Sequence, residues 1–140
     1  MSSSLTLERR ERVAVLALDR PPLQILDLEL LAELERALAE LAGDATLQLL
    51  LVTATGETAF SAGVSVQDHT PDKLAAMLTS FHGALGRLRG LDALTVALVD
   101  GHCLGGGMEL ACCCDQQRRR GGEHREDDGF NEHRRPCAWR

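Results

Sequence analysis

The chain has 140 residues, 44% of them hydrophobic, enough for one domain with its own core and too few for two. Its net charge of −6 excludes a general nucleic-acid surface, which needs a basic face. Its longest apolar runs, such as LQLLLVTA, are far too short to cross a bilayer, and the opening MSSSLTLERRERV lacks the apolar run of a secretory signal.

Aromatic residues make up only 3%, so packing falls to Leu, Val and Ala. The five cysteines are odd in number and three are adjacent, Cys112, Cys113 and Cys114. That pattern suits neither a disulfide framework nor paired zinc ligands, and it implies a reducing, cytoplasmic setting. Up to Asp115 there are 16 acidic and 8 basic residues, while the last 25 residues hold 7 arginines.

Taken in chain order, LTLER and RVAVLALD read as two strands around Arg9 to Glu11. RPPLQ is a loop, because consecutive prolines remove donors and fix the backbone. A helix follows. Asp27 caps it, Leu28, Leu31, Leu34, Leu38 and Leu41 recur at helical spacing, and Gly43 ends it. LQLLLVTATG is a buried strand running into a loop. In the second helix Thr70 is the expected cap and Pro71 the first helical residue, with Asp72 complementing the dipole. Leu74, Met77, Leu78, Phe81, Leu85 and Leu88 form its apolar stripe down to Gly90. ALTVALVDG returns as a buried strand and GGMELACCC opens a third helix. This alternation predicts an α/β domain over residues 1–115. Residues 116–140 carry dense charge and glycine with neither periodicity, and read as a disordered or out-of-frame tail.

Two glycine-bearing loops follow buried strands. LVDGHCLGGGMEL places Gly105, Gly106 and Gly107 at a helix start, where the first amides have no intrahelical acceptor. TAFSAGVSVQDH sets Gly63 among small residues. The G-x-G-x-x-G pattern is absent and no Lys-Ser or Lys-Thr follows the glycines, which argues against a nucleotide-phosphate binder. Two such loops can bring two amides onto one oxygen, and losing one such donor typically slows an enzyme about a hundredfold or more. Glu109 stands among Met108, Leu110 and Ala111, which predicts a buried carboxylate with a chemical task.

AFSAGVSV together with DGHCLGGGMELACCCD resembles the crotonase superfamily, the enoyl-CoA hydratases and isomerases. The resemblance runs from about Leu5 to Asp115, and the FSAGVSVQDHTPDK and CLGGGMELA surroundings look most like the branch that hydrates cyclohexa-1,5-dienecarbonyl-CoA. It implies the crotonase-like spiral of β-β-α turns, here its N-terminal half, stopping after the triple-glycine helix. It also implies an acyl-CoA thioester as substrate, coenzyme A entering only as part of it, with no separate cofactor and no metal. By position, the oxyanion hole falls on the amides of Val64 and Gly106, with Ala62, Gly63 and Gly105 framing them. Val64, Ser65, Val66 and Gln67 would line the acyl and pantetheine path, and Pro22 and Leu23 the adenine end. Glu109 matches the first of two water-activating glutamates.

Ser65 stands where many members have Asp, and the segment bearing the second glutamate has no counterpart here. Glu123, Glu126 and Glu132 sit in no matching context. The alternative is therefore a catalytically inactive fragment that at most binds acyl-CoA. Family members form trimers or hexamers through the later segment, so this chain is expected to expose a sheet edge and apolar surface. The cysteine triplet is expected to pack as small apolar groups. His82 should be half-buried, His69 a loop hydrogen-bonder, and His124, His133 and Cys137 fit no metal-ligand spacing.

Overall fold

A computed structural model describes residues 3–119. Strands β1 (Leu5–Arg10) and β2 (Val13–Leu18) form an antiparallel hairpin. Beside β2 lie β4 (Leu49–Ala54), β7 (Leu94–Val99) and β9 (Gln116–Arg119), each parallel to its neighbour, giving the order β1-β2-β4-β7-β9. Alternation decides which face is dry. Ala14, Leu16, Leu18, Leu50, Val52 and Ala97 are almost wholly buried, while the residues between them in β2 and β4 are only half-buried.

Helix α1 (Leu28–Ala42) joins β2 to β4, and α2 (Leu74–Arg89) precedes β7. The two pack against each other and share one core with the dry face. The carboxylate of Asp27 accepts the Leu30 N–H at 2.9 Å, so the predicted cap is present, and Gly43 closes the helix as expected. Arg20 pairs with both Asp27 and Glu29, tying the preceding loop to that helix start. Helix α2 begins one turn later than the sequence suggested. The carbonyl of Thr70 accepts from Lys73 and Leu74 N–H at 3.0 and 2.8 Å, so residues 70–73 form a turn leading into the helix. Of its expected stripe, Met77, Phe81 and Leu88 are buried, joined by Ala84. Leu74 and Leu78 keep 36% and 40% exposure, because α1 covers only one line of the helix.

The boundary expected after Asp115 also moves. Asp115 does not end the sheet: its Oδ2 accepts from the N–H and hydroxyl of Thr95 at 2.8 and 2.9 Å, and its own N–H donates to Thr95 Oγ1. This staple sets β9 beside β7, so Gln116–Arg119 is an edge strand rather than the start of a tail. Its side chains are all exposed and polar, which suits a sheet edge and left no hydrophobic pattern to read. The rest of the predicted tail lies outside the described residues.

Candidate active site at the carboxyl ends of the strands

The loops that follow β2, β4 and β7 leave the same end of the parallel sheet, where open α/β sheets bind their ligands. Two short ladders hold them together. Strand β3 (Ile25–Leu26), from the first loop, pairs with β6 (Gly63–Val64) from the second. Strand β5 (Ala59–Ser61), also from the second, pairs with β8 (His102–Cys103) from the third. Helix α3 (Gly106–Cys112) follows β8 directly. A 3₁₀ turn (Val66–Asp68) follows β6, and Asp68, largely buried, lies 3.7 Å from Lys73 at the entrance to α2.

The three consecutive glycines do different work. Gly105 has φ +51° at the helix start, a conformation that L side chains rarely adopt. Gly106 and Gly107 are close-approach positions. A Cβ on Gly106 would lie 3.1 Å from both Phe81 Cζ and Val64 Cγ1, and one on Gly107 would lie 2.7 Å from Ser61 Cβ. In the facing loop a Cβ on Gly63 would come within 3.2 Å of the Gly106 nitrogen and 3.1 Å of the Leu104 oxygen. The two glycine-bearing loops therefore pack main chain on main chain.

The amide directions follow from local structure. Ser65 N–H donates to Leu26 O at 3.0 Å. Successive N–H groups of an extended strand point to opposite edges, so the Val64 N–H faces away from β3. Gly106 is the first residue of α3, and its N–H has no intrahelical acceptor.

The other predicted site residues divide. Ala62 N–H donates to Leu23 O at 2.9 Å, joining the early loop to the second loop. Gly63 and Ser65 are buried, and Ala62 and Val64 half-buried. Pro22, Gln67 and Gly105 are exposed, as are Leu23 and Val66, the latter at 84%. Glu109 corrects an expectation: it is exposed, not buried. The short helix buries Gly106, Gly107, Leu110 and Ala111 as its inner stripe, which turns Met108, Glu109 and Cys112 outward.

The cysteines follow the same geometry, so the triplet packs as expected only in part. Cys114 is buried, Cys113 half-buried and Cys112 exposed. Burial pushes the thiols of Cys103 and Cys113 up, and that of Cys114 to about 12, which disfavours the nucleophilic thiolate at each. His82 is exposed rather than half-buried, since it points off α2 beside the Phe81 ring. His69 meets its expectation, with Nδ1 2.8 Å from Ser65 O. Among the described residues no group of three His, Cys, Asp or Glu is placed to hold a metal, and no helix is long and apolar enough to span a membrane. The tail residues Glu123, Glu126, Glu132, His124, His133 and Cys137 lie outside the described residues.

Two residues of the site escaped the sequence reading. Ser61, fully buried, contacts all three loops. Gln24, also fully buried with φ +52°, sends its side-chain amide to Thr55 O at 2.8 Å and accepts the Arg20 N–H at 2.6 Å. The available signal was weak: one polar residue inside the apolar LQIL, one inside AFSAG. Two clefts lie away from these loops. One of about 420 Å³ runs between β1 and α1, and one of about 250 Å³ separates the C-terminal ends of α1 and α2 at the opposite end of the sheet.

The profile of the enoyl-CoA hydratase/isomerase family matches residues 8–117. Cyclohexa-1,5-dienecarbonyl-CoA hydratase of Thauera aromatica is 37% identical over 105 residues, 75% of this chain and 40% of that protein. Crotonyl-CoA hydratase of Syntrophomonas wolfei is 34% identical over 114 residues, 77% of this chain and 43% of that protein. The chain thus spans less than half the length of these curated relatives. Among solved structures, Pseudomonas aeruginosa DspI superposes with a TM-score of 0.78 at 28% identity, over 83% of this chain and 45% of that one. The paired glycine loops at the carboxyl ends of a parallel sheet, the family profile and these likenesses agree: this chain belongs to the enoyl-CoA hydratase/isomerase family.

Proposed function

We propose that this chain binds an acyl-CoA thioester and holds its carbonyl oxygen between the amides of Val64 and Gly106, with Glu109 handling the proton. The observation that carries the reading is the apposition of the two loops, with a Gly63 Cβ position only 3.2 Å from the Gly106 nitrogen. Two amides on adjacent, glycine-bearing turns are the donor set that a developing enolate requires. In hydration, Glu109 takes a proton from water as the water oxygen bonds to the β-carbon. The π electrons shift onto the thioester oxygen, where the two N–H groups hold the charge. Glu109 then gives that proton to the α-carbon, which restores the thioester and returns Glu109 to its carboxylate form. Pro22, Leu23, Val66 and Gln67 are exposed and available to the coenzyme A portion. Cys103, Cys112, Cys113 and Cys114, which form no disulfide among the described residues, suit a reducing, cytoplasmic compartment.

The second reading is binding without turnover, and the exposure of Glu109 favours it. A general base works best when its position and solvation are controlled, and solvent controls neither. The test follows loss of the conjugated thioester absorbance with crotonyl-CoA and with cyclohexa-1,5-dienecarbonyl-CoA. Turnover that falls by about a hundredfold or more in Glu109→Gln supports the first reading. Saturable binding with no turnover supports the second, and no binding of either thioester overturns both.

A further inference from the structure

We propose that Ser61 is the positioning residue of this site, setting the spacing and orientation of the loop that bears Val64 against the helix that bears Gly106. The inference rests on the thioester reading above and adds a residue which that reading does not use. Ser61 has no exposed surface, so it touches no substrate. Its Oγ donates to Gln24 O at 2.7 Å and accepts the Gly63 N–H at 3.1 Å. Its main-chain carbonyl accepts the Leu104 N–H at 3.0 Å and lies against the Gly107 Cα. One residue thereby meets the loops after β2, β4 and β7.

The bond to Gly63 has the sharpest consequence. Gly63 sits at φ +107°, a region open to glycine and therefore loosely held by its own sterics. Fixing its N–H fixes the Ala62–Gly63 peptide plane, and on the far side the Ser65 N–H is held by Leu26 O at 3.0 Å, so the Gly63–Val64 peptide that carries the Val64 N–H is anchored at both ends. The bond to Gln24 supplies the reference point, because Gln24 is itself held by Thr55 and by the Arg20 N–H. Water cannot replace a hydroxyl at a fully buried position without room of its own, so deleting Oγ leaves a carbonyl and an amide unpaired in the interior. The loop recovers those bonds only by moving, and the Val64 amide moves with it.

The experiment uses the full chain with Ser61→Ala and Ser61→Cys, the second keeping a weak donor on a slightly larger side chain. Amide hydrogen exchange is read residue by residue on the free protein. Binding of acetoacetyl-CoA, whose enolate absorbs in the near ultraviolet, is compared with binding of coenzyme A alone. In Ser61→Ala, exchange at Gly63 and Val64 rises about tenfold or more while β2 and β4 keep their protection. Acetoacetyl-CoA affinity drops about tenfold with loss of the enolate band, coenzyme A stays within about twofold, and Ser61→Cys falls between. Unchanged exchange at Gly63 and Val64 overturns the proposal. So does an equal rise across β2 and β4, or an equal loss for both ligands. If Ser61→Ala does not fold, the same comparison is made on Ser61→Cys. Failure of the unaltered chain to bind acetoacetyl-CoA overturns the functional reading instead, and the exchange comparison still decides whether Ser61 sets the loop.

Discussion

The layered body and the loops at its carboxyl end are held together by different means. In the body, α1, α2 and the main sheet meet through side chains: Leu16, Leu18, Leu34, Leu38, Leu50 and Leu88 fill the space between layers. In the loops, backbone meets backbone at Gly63 and Gly107, Gly106 lies against the Phe81 and Val64 side chains, and an added β-carbon would be crowded at each. The body therefore fails by subtraction and the site by addition.

Leu38→Ala tests the first half most severely. Leu38 has no exposed surface, and truncating such a leucine costs about 2–5 kcal/mol through lost transfer energy and the cavity left behind. Against a total of roughly 5–15 kcal/mol for a small domain, the denaturant midpoint should fall steeply. The folded fraction, titrated at low temperature, should bind acyl-CoA as before. A loss of affinity in the folded fraction would mean that the body shapes the site more directly than its separate packing implies.

Gly107→Ala makes the opposite change in the other region. One added methyl would press into Ser61, whose Cβ lies 2.7 Å from the new carbon. Overpacking of this kind costs about 1–3 kcal/mol. The stability loss should be smaller than for Leu38→Ala, yet thioester binding should collapse, because α3 can relieve the clash only by moving Gly106 away from the Val64 loop. Retained affinity in a calorimetric titration would break the comparison.

The same division explains what the sequence disclosed. The body was legible because side-chain packing writes a period into the chain: Leu31, Leu34, Leu38 and Leu41 at helical spacing, and Asp27 and Gly43 at the ends. The family and the close approach of the two loops were legible through the glycines of the AFSAG and GGGMEL motifs. Its assembly was not. Strands β3, β5, β6 and β8 have two or three residues each, too few for any alternation to repeat. Gln24 and Ser61 act through hydrogen bonds to backbone atoms of other loops, and a backbone partner leaves no trace in sequence. Glu109 misled for a related reason. Apolar neighbours in a seven-residue helix do not say which side is covered, and here the inner stripe stops at Leu110 and Ala111. Strand β9 was hidden by its composition, since Gln116–Arg119 pairs through main chain alone and points only polar side chains outward.

Gly86→Ala isolates the contrast, because it is the same chemical change as Gly107→Ala, also inside a helix. Gly86 lies within α2, where a Cβ meets nothing within 4 Å, and its carbonyl accepts the Gly90 N–H at 3.0 Å in closing the helix. Alanine there reduces the backbone entropy of the unfolded chain and disturbs no contact, so stability should rise by roughly 0.5–1 kcal/mol. The two variants then share one intrinsic helix preference and differ only in what the new methyl encounters. Opposite signs in their thermal midpoints, with acyl-CoA affinity kept in Gly86→Ala and lost in Gly107→Ala, would assign the damage to main-chain apposition alone. A fall in stability on Gly86→Ala would mean that α2 uses its glycines for bending, and that flexibility as well as close approach governs where this chain tolerates a β-carbon.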